Sequence, residues 1–158
     1  MSGAYFYTPK TGPGEGDVLF LQLSGAKLTP KVKKAWVGAL RSGNYDQIEG
    51  YLRLGNGYCC LGVLCDLGSG KWRKPTEAES KGEGLPHDAK IYCPVGGFGD
   101  LPHDKGLDGR ITLERGTYPP PTVVEKSGIN KDDMSALTSL NDAGCSFDEI
   151  ADFIEEHF

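Results

Sequence analysis

The sequence lacks an overall positive charge, a long apolar run and a paired-cysteine metal motif, and each shortage removes a class of function. Against 17 Lys and Arg stand 22 Asp and Glu, for a net charge of −5. A nucleic-acid-binding domain usually carries a basic field instead. The apolar stretch VLFLQL at 18–23 falls far short of the roughly 20 residues that span a bilayer, so no membrane partner is expected. The start, MSGAYFYTPKTG, has neither the basic region nor the apolar core of a secretory signal. Five cysteines are an odd number and close no complete disulfide set. Both features predict a reducing compartment, the cytoplasm. No C-x2-C pair is present, and adjacent Cys59 and Cys60 would point to opposite sides of an extended chain. These two, with Cys65, Cys93, Cys145, His87 and His103, therefore read as core or loop residues rather than metal ligands, and no metal or cofactor is expected. Gly96-Gly97-Phe98-Gly99 is followed by no lysine and so is not a phosphate-cradling P-loop.

Glycine is what the chain has in excess. With 23 Gly and 10 Pro in 158 residues, about a fifth of the chain is turn-forming, where average Gly usage alone is about 7%. The length suits one domain. Residues 1–16, rich in Gly, Pro and Thr, read as a flexible lead-in, and 17–158 as a single α+β domain.

Asp17–Leu23 is short, apolar and bounded by turn formers, which predicts a buried strand. Thr29-Pro30 is a helix start, with Thr as N-cap and Pro in the first turn. Val32, Ala35, Trp36, Ala39 and Leu40 then fall on one helical stripe, and Gly43 supplies a left-handed end. Gly55-Asn56-Gly57 between Tyr51–Leu54 and Tyr58–Cys59 predicts a small hairpin. Leu61, Leu64, Cys65 and Gly68 fit a short buried helix. Residues 69–90, including Lys71, Trp72, Arg73 and Lys74, read as loop. Ile91–Val95 and Arg110–Glu114 read as strands joined by a long Gly/Asp-rich connection. Pro119-Pro120-Pro121 opens a helix that Gly128 closes. Asn130 caps a helix carrying Met134, Leu137 and Leu140, and Ser146-Phe147-Asp148-Glu149 is a capping box for a last helix buried through Phe147, Ile150, Ala151 and Ile154. The expected fold is a mainly antiparallel small sheet with four or five short helices and a C-terminal helical pair.

Charge is distributed unevenly. Residues 1–43 carry six bases and two acids, whereas 129–158 carry one base and eight acids. Either the two ends face one another, or only the basic end meets an anionic partner, or both are simply solvated helix faces, the plain alternative. The last two helices have the outline of helix-turn-helix, but a recognition helix bearing Asp148, Glu149, Asp152, Glu155 and Glu156 would be repelled by phosphates. No DNA partner is expected.

Two constellations could carry chemistry. Arg41 at the end of the first helix and Arg53 in the hairpin offer phosphate donors, Tyr45 and Tyr58 offer stacking faces, and Gln47 can read an amide or base edge. Asn141 and Asp142, at the end of a helix, join them if the following turn folds back over the hairpin. The plain alternative is that the tyrosines pack on the core, the arginines make surface ion pairs, and Asn141-Asp142 satisfy the helix end. Separately, Cys60 lies where a strand gives way to a helix, a position that favours a reactive thiolate. GYCCLGVL resembles the cysteine segment of papain-like peptidases, which need a downstream histidine. Here His87 and His103 both fall in predicted loops.

Three segments together resemble a widespread set of small, mostly uncharacterised proteins encoded by bacteriophages and prophages: WVGALRSGNY at 36–45, YCCLGVLCD at 58–66 and LNDAGCSFDEIA at 140–151. The resemblance covers about half the chain and transfers a setting but no catalytic residue. It implies an accessory protein that blunts host defence, one route being sequestration of a small phosphorylated cyclic nucleotide signal in the infected cell's cytoplasm. Such a sponge carries Arg41, Tyr45, Gln47, Arg53 and Tyr58, with Asn141 and Asp142, as its contacts, and often forms a homo-oligomer. The alternatives are a Cys60-dependent hydrolase or phosphodiesterase acting on such a signal, and a protein–protein inhibitor presenting its acidic C-terminal helix.

Overall fold

In a computed structural model of the chain, the structure describes residues 3–93 and 116–158. The predicted strand at 110–114 and the connection before it lie outside the described residues. The α+β class is as expected, and the strands among the described residues divide into three small sheets.

Strands β1 (Gly3–Tyr7) and β2 (Leu19–Leu23) form an antiparallel hairpin in which Phe6 pairs with Phe20 and Tyr5 with Leu21. Alternation puts Leu21 and Leu23 inward and Phe6 and Phe20 outward. Residues 3–7, within the stretch expected as a lead-in, are a paired strand. Helix α1 (Pro30–Arg41) starts where Thr29-Pro30 predicts, yet the Thr29 hydroxyl caps nothing and donates instead to the Lys126 carbonyl at 3.1 Å. Its buried stripe is Trp36, Val37 and Leu40. Ala35, expected inside, is exposed, because the face is set by what α1 packs against rather than by the best apolar average.

Strands β3 (Asp46–Gln47), β4 (Arg53–Leu54) and β5 (Gly57–Tyr58) form a sheet in the order β3-β5-β4. The β4–β5 pair is the predicted hairpin, and β3 joins β5 in parallel. Helix α2 (Cys60–Asp66) follows at once. Strands β6 (Lys71–Arg73) and β7 (Ile91–Cys93) pair antiparallel, and helix α3 (Glu77–Glu83) lies between them. Both β6 and α3 replace the expected loop. The signal for α3 was present as Thr76-Glu77-Ala78-Glu79, a capping box whose two reciprocal bonds both form.

Helices α4 (Pro121–Ser127), α5 (Lys131–Asp142) and α6 (Phe147–His157) complete the chain. The main core gathers Leu21, Trp36, Leu61, Leu137, Ile150 and Ile154. β2 lies on α5, and α1 lies on α6. This second packing answers the charge question, because the basic and acidic ends face one another. Arg41 binds Asp152 and Glu155, and the Lys33 ammonium donates to the Glu155 carbonyl at 3.1 Å. No helix among the described residues is long and apolar enough to cross a membrane.

The Ser146 capping box forms only by half. The Ser146 hydroxyl accepts from the Glu149 N–H at 3.2 Å, but the Glu149 carboxylate turns away to the N-terminal segment. There it accepts from the Tyr7 hydroxyl, the Lys10 N–H at 2.7 Å, and the Thr11 N–H at 3.0 Å and hydroxyl. Gly12 presses so close to the α5–α6 turn that a Cβ on it would lie 1.9 Å from the Gly144 carbonyl oxygen. Glu149 is 7% exposed. Burial pushes its carboxyl up, but the donors of Thr11, Tyr7 and Lys10 outweigh that and hold it below the usual value. Its contribution to stability is then complete above the unfolded pKa, about 4.3, and is lost as pH falls through the lower folded pKa. Glu149→Gln is expected to cost about 2 kcal/mol at pH 7, with the deficit shrinking as pH drops below about 4. Urea denaturation at both pH values checks this, and an equal deficit at both would contradict it.

Candidate functional site

The sequence from Gln47 to Cys60 folds so that β3, Ile48 and the start of α2 meet the end of α5, and Asn141 is the junction. Its side chain is 1% exposed. The Asn141 amide oxygen accepts from the Cys60 N–H at 3.2 Å and from the Gln47 amide at 3.1 Å, and its NH2 donates to the Ile48 carbonyl at 2.8 Å. Gln47 also donates to the Cys145 carbonyl at 2.7 Å. Trp36 holds the same corner from α1, its indole N–H donating to the Cys60 carbonyl at 2.9 Å. Gln47 and Asn141 thus read this chain's own backbone.

Above this junction lies a cleft of about 230 Å³ lined by Gly50, Tyr51, Cys59, Cys60, Thr117, Tyr118, Thr138, Asn141 and Asp142. Tyr51 and Tyr118 are half-buried, while Asp142 is exposed and accepts from the Gly50 N–H at 3.3 Å. The end of α5 and the turn after it meet Gln47, Ile48 and Gly50, just ahead of the β4–β5 hairpin. At about 30 Å³ per water the volume equals that of seven or eight waters. That is below the 300–1,000 Å³ of a drug-sized pocket, so the cleft takes one ring system or a sugar rather than a whole oligonucleotide. Among the described residues, its lining contains a carboxylate and no lysine or arginine. The arrangement therefore favours a group that donates hydrogen bonds, such as an exocyclic amine or a ribose hydroxyl, over a phosphate.

Both cysteines form the floor. Cys59 caps α2, its sulfur accepting from the Gly62 N–H at 3.4 Å, and burial pushes its thiol up to about 11. Cys60 is fully buried, its thiol donates to the Leu137 carbonyl at 3.7 Å, and burial pushes it well above the ordinary value. A thiol held neutral in this way is a poor nucleophile. His87 is exposed in a turn, as expected, and His103 lies outside the described residues.

The arginines stand elsewhere. Arg41 lines a shallow groove on α1 with Lys33, Lys34 and Glu155, where its guanidinium is engaged by two carboxylates. This is the surface ion pair of the plain alternative. Arg53 lies over the Tyr58 ring at 4.9 Å and the Trp72 ring at 5.5 Å, and its Nε donates to the Gly55 carbonyl. Tyr45 meets Tyr58 edge-on at 4.9 Å and donates its hydroxyl to Asp66 at 2.6 Å; burial first, then Asp66, raises its pKa. Asp66 also accepts from the Trp72 indole at 3.0 Å. Tyr45, Arg53 and Tyr58 thus form one aromatic row with Trp72, while Asn141 and Asp142 belong to the cleft. The two groups are not one constellation.

Tyr51, Tyr118 and Thr138 are among the cleft residues that sequence reasoning missed. Each comes from a different segment, and no local spacing links them. Among the described residues, no three His, Cys, Asp or Glu side chains group as metal ligands.

No match was found among curated proteins or among solved structures. A family model described as a domain of unknown function, DUF8296, matches residues 28–158, and the chain belongs to that family.

Proposed function

We propose that the protein is a non-catalytic binding protein that withdraws a small nucleotide from solution. The nucleoside part enters the cleft between Tyr51 and Tyr118, and the phosphates stay outside it. The observation that carries this reading is the cleft, with aromatic rings and a carboxylate set over a floor of buried, neutral thiols. Aromatic faces stack bases at about 1–3 kcal/mol each, and Asp142 is the acceptor for an amine or a sugar hydroxyl. The phosphates then reach outward, away from the Asp142 carboxylate. In this reading the protein is a phage accessory protein that depletes a cyclic nucleotide signal used in host defence. That setting rests on the resemblance of three segments, at 36–45, 58–66 and 140–151, to phage and prophage proteins. The Cys60-dependent enzyme is disfavoured by the buried thiol, and the acidic decoy surface by the engagement of Asp152 and Glu155 with Arg41.

Equilibrium dialysis against a panel of nucleosides, mononucleotides and cyclic oligonucleotides tests the reading, followed by heat denaturation and analysis of the released ligand. Binding at micromolar concentration, with release of unaltered ligand, is expected. Asp142→Ala should weaken binding about tenfold or more, as a hydrogen bond to a charged acceptor contributes about 1.5–3 kcal/mol. Altered ligand would point to an enzyme, and no binding would remove the proposal.

A further inference from the structure

The cleft divides its polar atoms unequally between floor and wall. On the floor, the Cys60 N–H and carbonyl are taken by Asn141 and Trp36, and the Cys60 thiol donates to the Leu137 carbonyl. The Cys59 N–H donates to the Leu52 carbonyl at 3.1 Å, and the Cys59 carbonyl accepts from the Val63 N–H at 3.0 Å. These groups are committed to the chain itself. The wall is α5, where Thr138 and Asp142 stand four residues apart on one helix face. Among the described residues, the Thr138 hydroxyl has no hydrogen-bond partner. The Asp142 Oδ1 accepts from the Gly50 N–H at 3.3 Å, which leaves Oδ2 open. Asp142 is exposed, at the mouth, while both cysteines are buried.

We propose that the site reads the ribose of its ligand, taking a free 2′-hydroxyl, and does not read the base. This rests on the cleft being a nucleoside site with the phosphates outside it. In that order the sugar, which joins base to phosphate, sits at the mouth beside Asp142. The base lies by its faces against the tyrosines and the thiol floor. That floor offers a base edge nothing to pair with, whereas stacking accepts every base. A carboxylate only accepts, so Asp142 takes a hydroxyl that still carries its hydrogen. The Thr138 hydroxyl both donates and accepts, and it suits the neighbouring 3′-oxygen whether free or esterified. Side chains whose Cβ atoms are about 5–6 Å apart match two oxygens on adjacent ring carbons better than the single nitrogen of an exocyclic amine. The ligand class is then ribonucleotides joined through their 3′- and 5′-oxygens, and a nucleotide linked through its 2′-oxygen is excluded.

Isothermal titration of the full chain with adenosine, 2′-deoxyadenosine and inosine is the test. Removing the 2′-hydroxyl should weaken binding about tenfold or more, the loss expected for a hydrogen bond to a charged acceptor. Inosine, which lacks the exocyclic amine, should bind within about threefold of adenosine, because stacking tolerates the change. In Asp142→Ala the preference for adenosine over 2′-deoxyadenosine should vanish. Equal binding of adenosine and 2′-deoxyadenosine by the wild type would overturn the inference and leave the cleft a nucleoside site. A loss of about tenfold with inosine would do the same and assign the carboxylate to the base. Binding of none of the three would remove the nucleoside reading itself, and the inference with it.

Discussion

Asn141→Ala is expected to destabilise the protein by about 3 kcal/mol or more. The substitution strips the partner from the Cys60 N–H, which is buried, and from the Ile48 carbonyl, and leaves Gln47 with one acceptor in place of two. Each buried polar group left unpaired costs about 1–3 kcal/mol, and the lost side-chain volume adds to it. For a chain of this size, that corresponds to a fall in Tm of roughly 6–12 °C. Asn141→Asp keeps an acceptor for Cys60 and Gln47 but cannot donate to Ile48 when ionised, so it too should destabilise. Thermal or urea unfolding of both variants is the check. If Asn141 served a ligand alone, stability would stay within about 0.5 kcal/mol of wild type.

Gly62→Ala carries the second large effect. A Cβ at Gly62 would lie 1.8 Å from the Leu52 carbonyl oxygen and 2.7 Å from its carbon. Those atoms are backbone and are tied down. The Leu52 carbonyl accepts from the Cys59 N–H at 3.1 Å, and its N–H donates to the Gly116 carbonyl at 2.8 Å. Overpacking of a core costs about 1–3 kcal/mol and sometimes more, and here no flexible side chain can yield. The expected loss is at the top of that range or beyond, with distortion of the cleft floor. Gly38→Ala is the control, since nothing lies within 4 Å of a Cβ there and the site is within α1. It should stabilise by up to about 1 kcal/mol, the helix propensity of Ala over Gly. Equal effects at both positions would show that the contact at Leu52 is unimportant.

Features written in adjacent residues were legible from sequence. Thr29-Pro30 started α1, Gly55-Asn56-Gly57 turned the β4–β5 hairpin, and Asn130 and Ser146 opened the last two helices. Features that depend on distant partners were not. Ser146 and Glu149 matched a capping box, but the carboxylate is taken by Tyr7, Lys10 and Thr11 from the other end of the chain. No local pattern distinguishes those donors from ordinary residues of a Gly- and Pro-rich start. Arg41 was equally ambiguous, because a guanidinium at a helix end serves phosphate or carboxylate, and only the packing of α1 on α6 decided for Asp152 and Glu155. The charge imbalance of the two ends contained that answer as one of three readings, beside an anionic partner and two solvated helix faces. For Asn141-Asp142 the sequence left a helix-end role and a site role both open, and Tyr51 and Tyr118 needed the assembled fold.

Isothermal titration of one ligand from the nucleotide panel into Asp142→Ala and Arg41→Ala separates the cleft from the α1 groove. Binding reduced about tenfold or more in Asp142→Ala and unchanged in Arg41→Ala is the result predicted by a site at the end of α5. Binding lost in Arg41→Ala and retained in Asp142→Ala would contradict it.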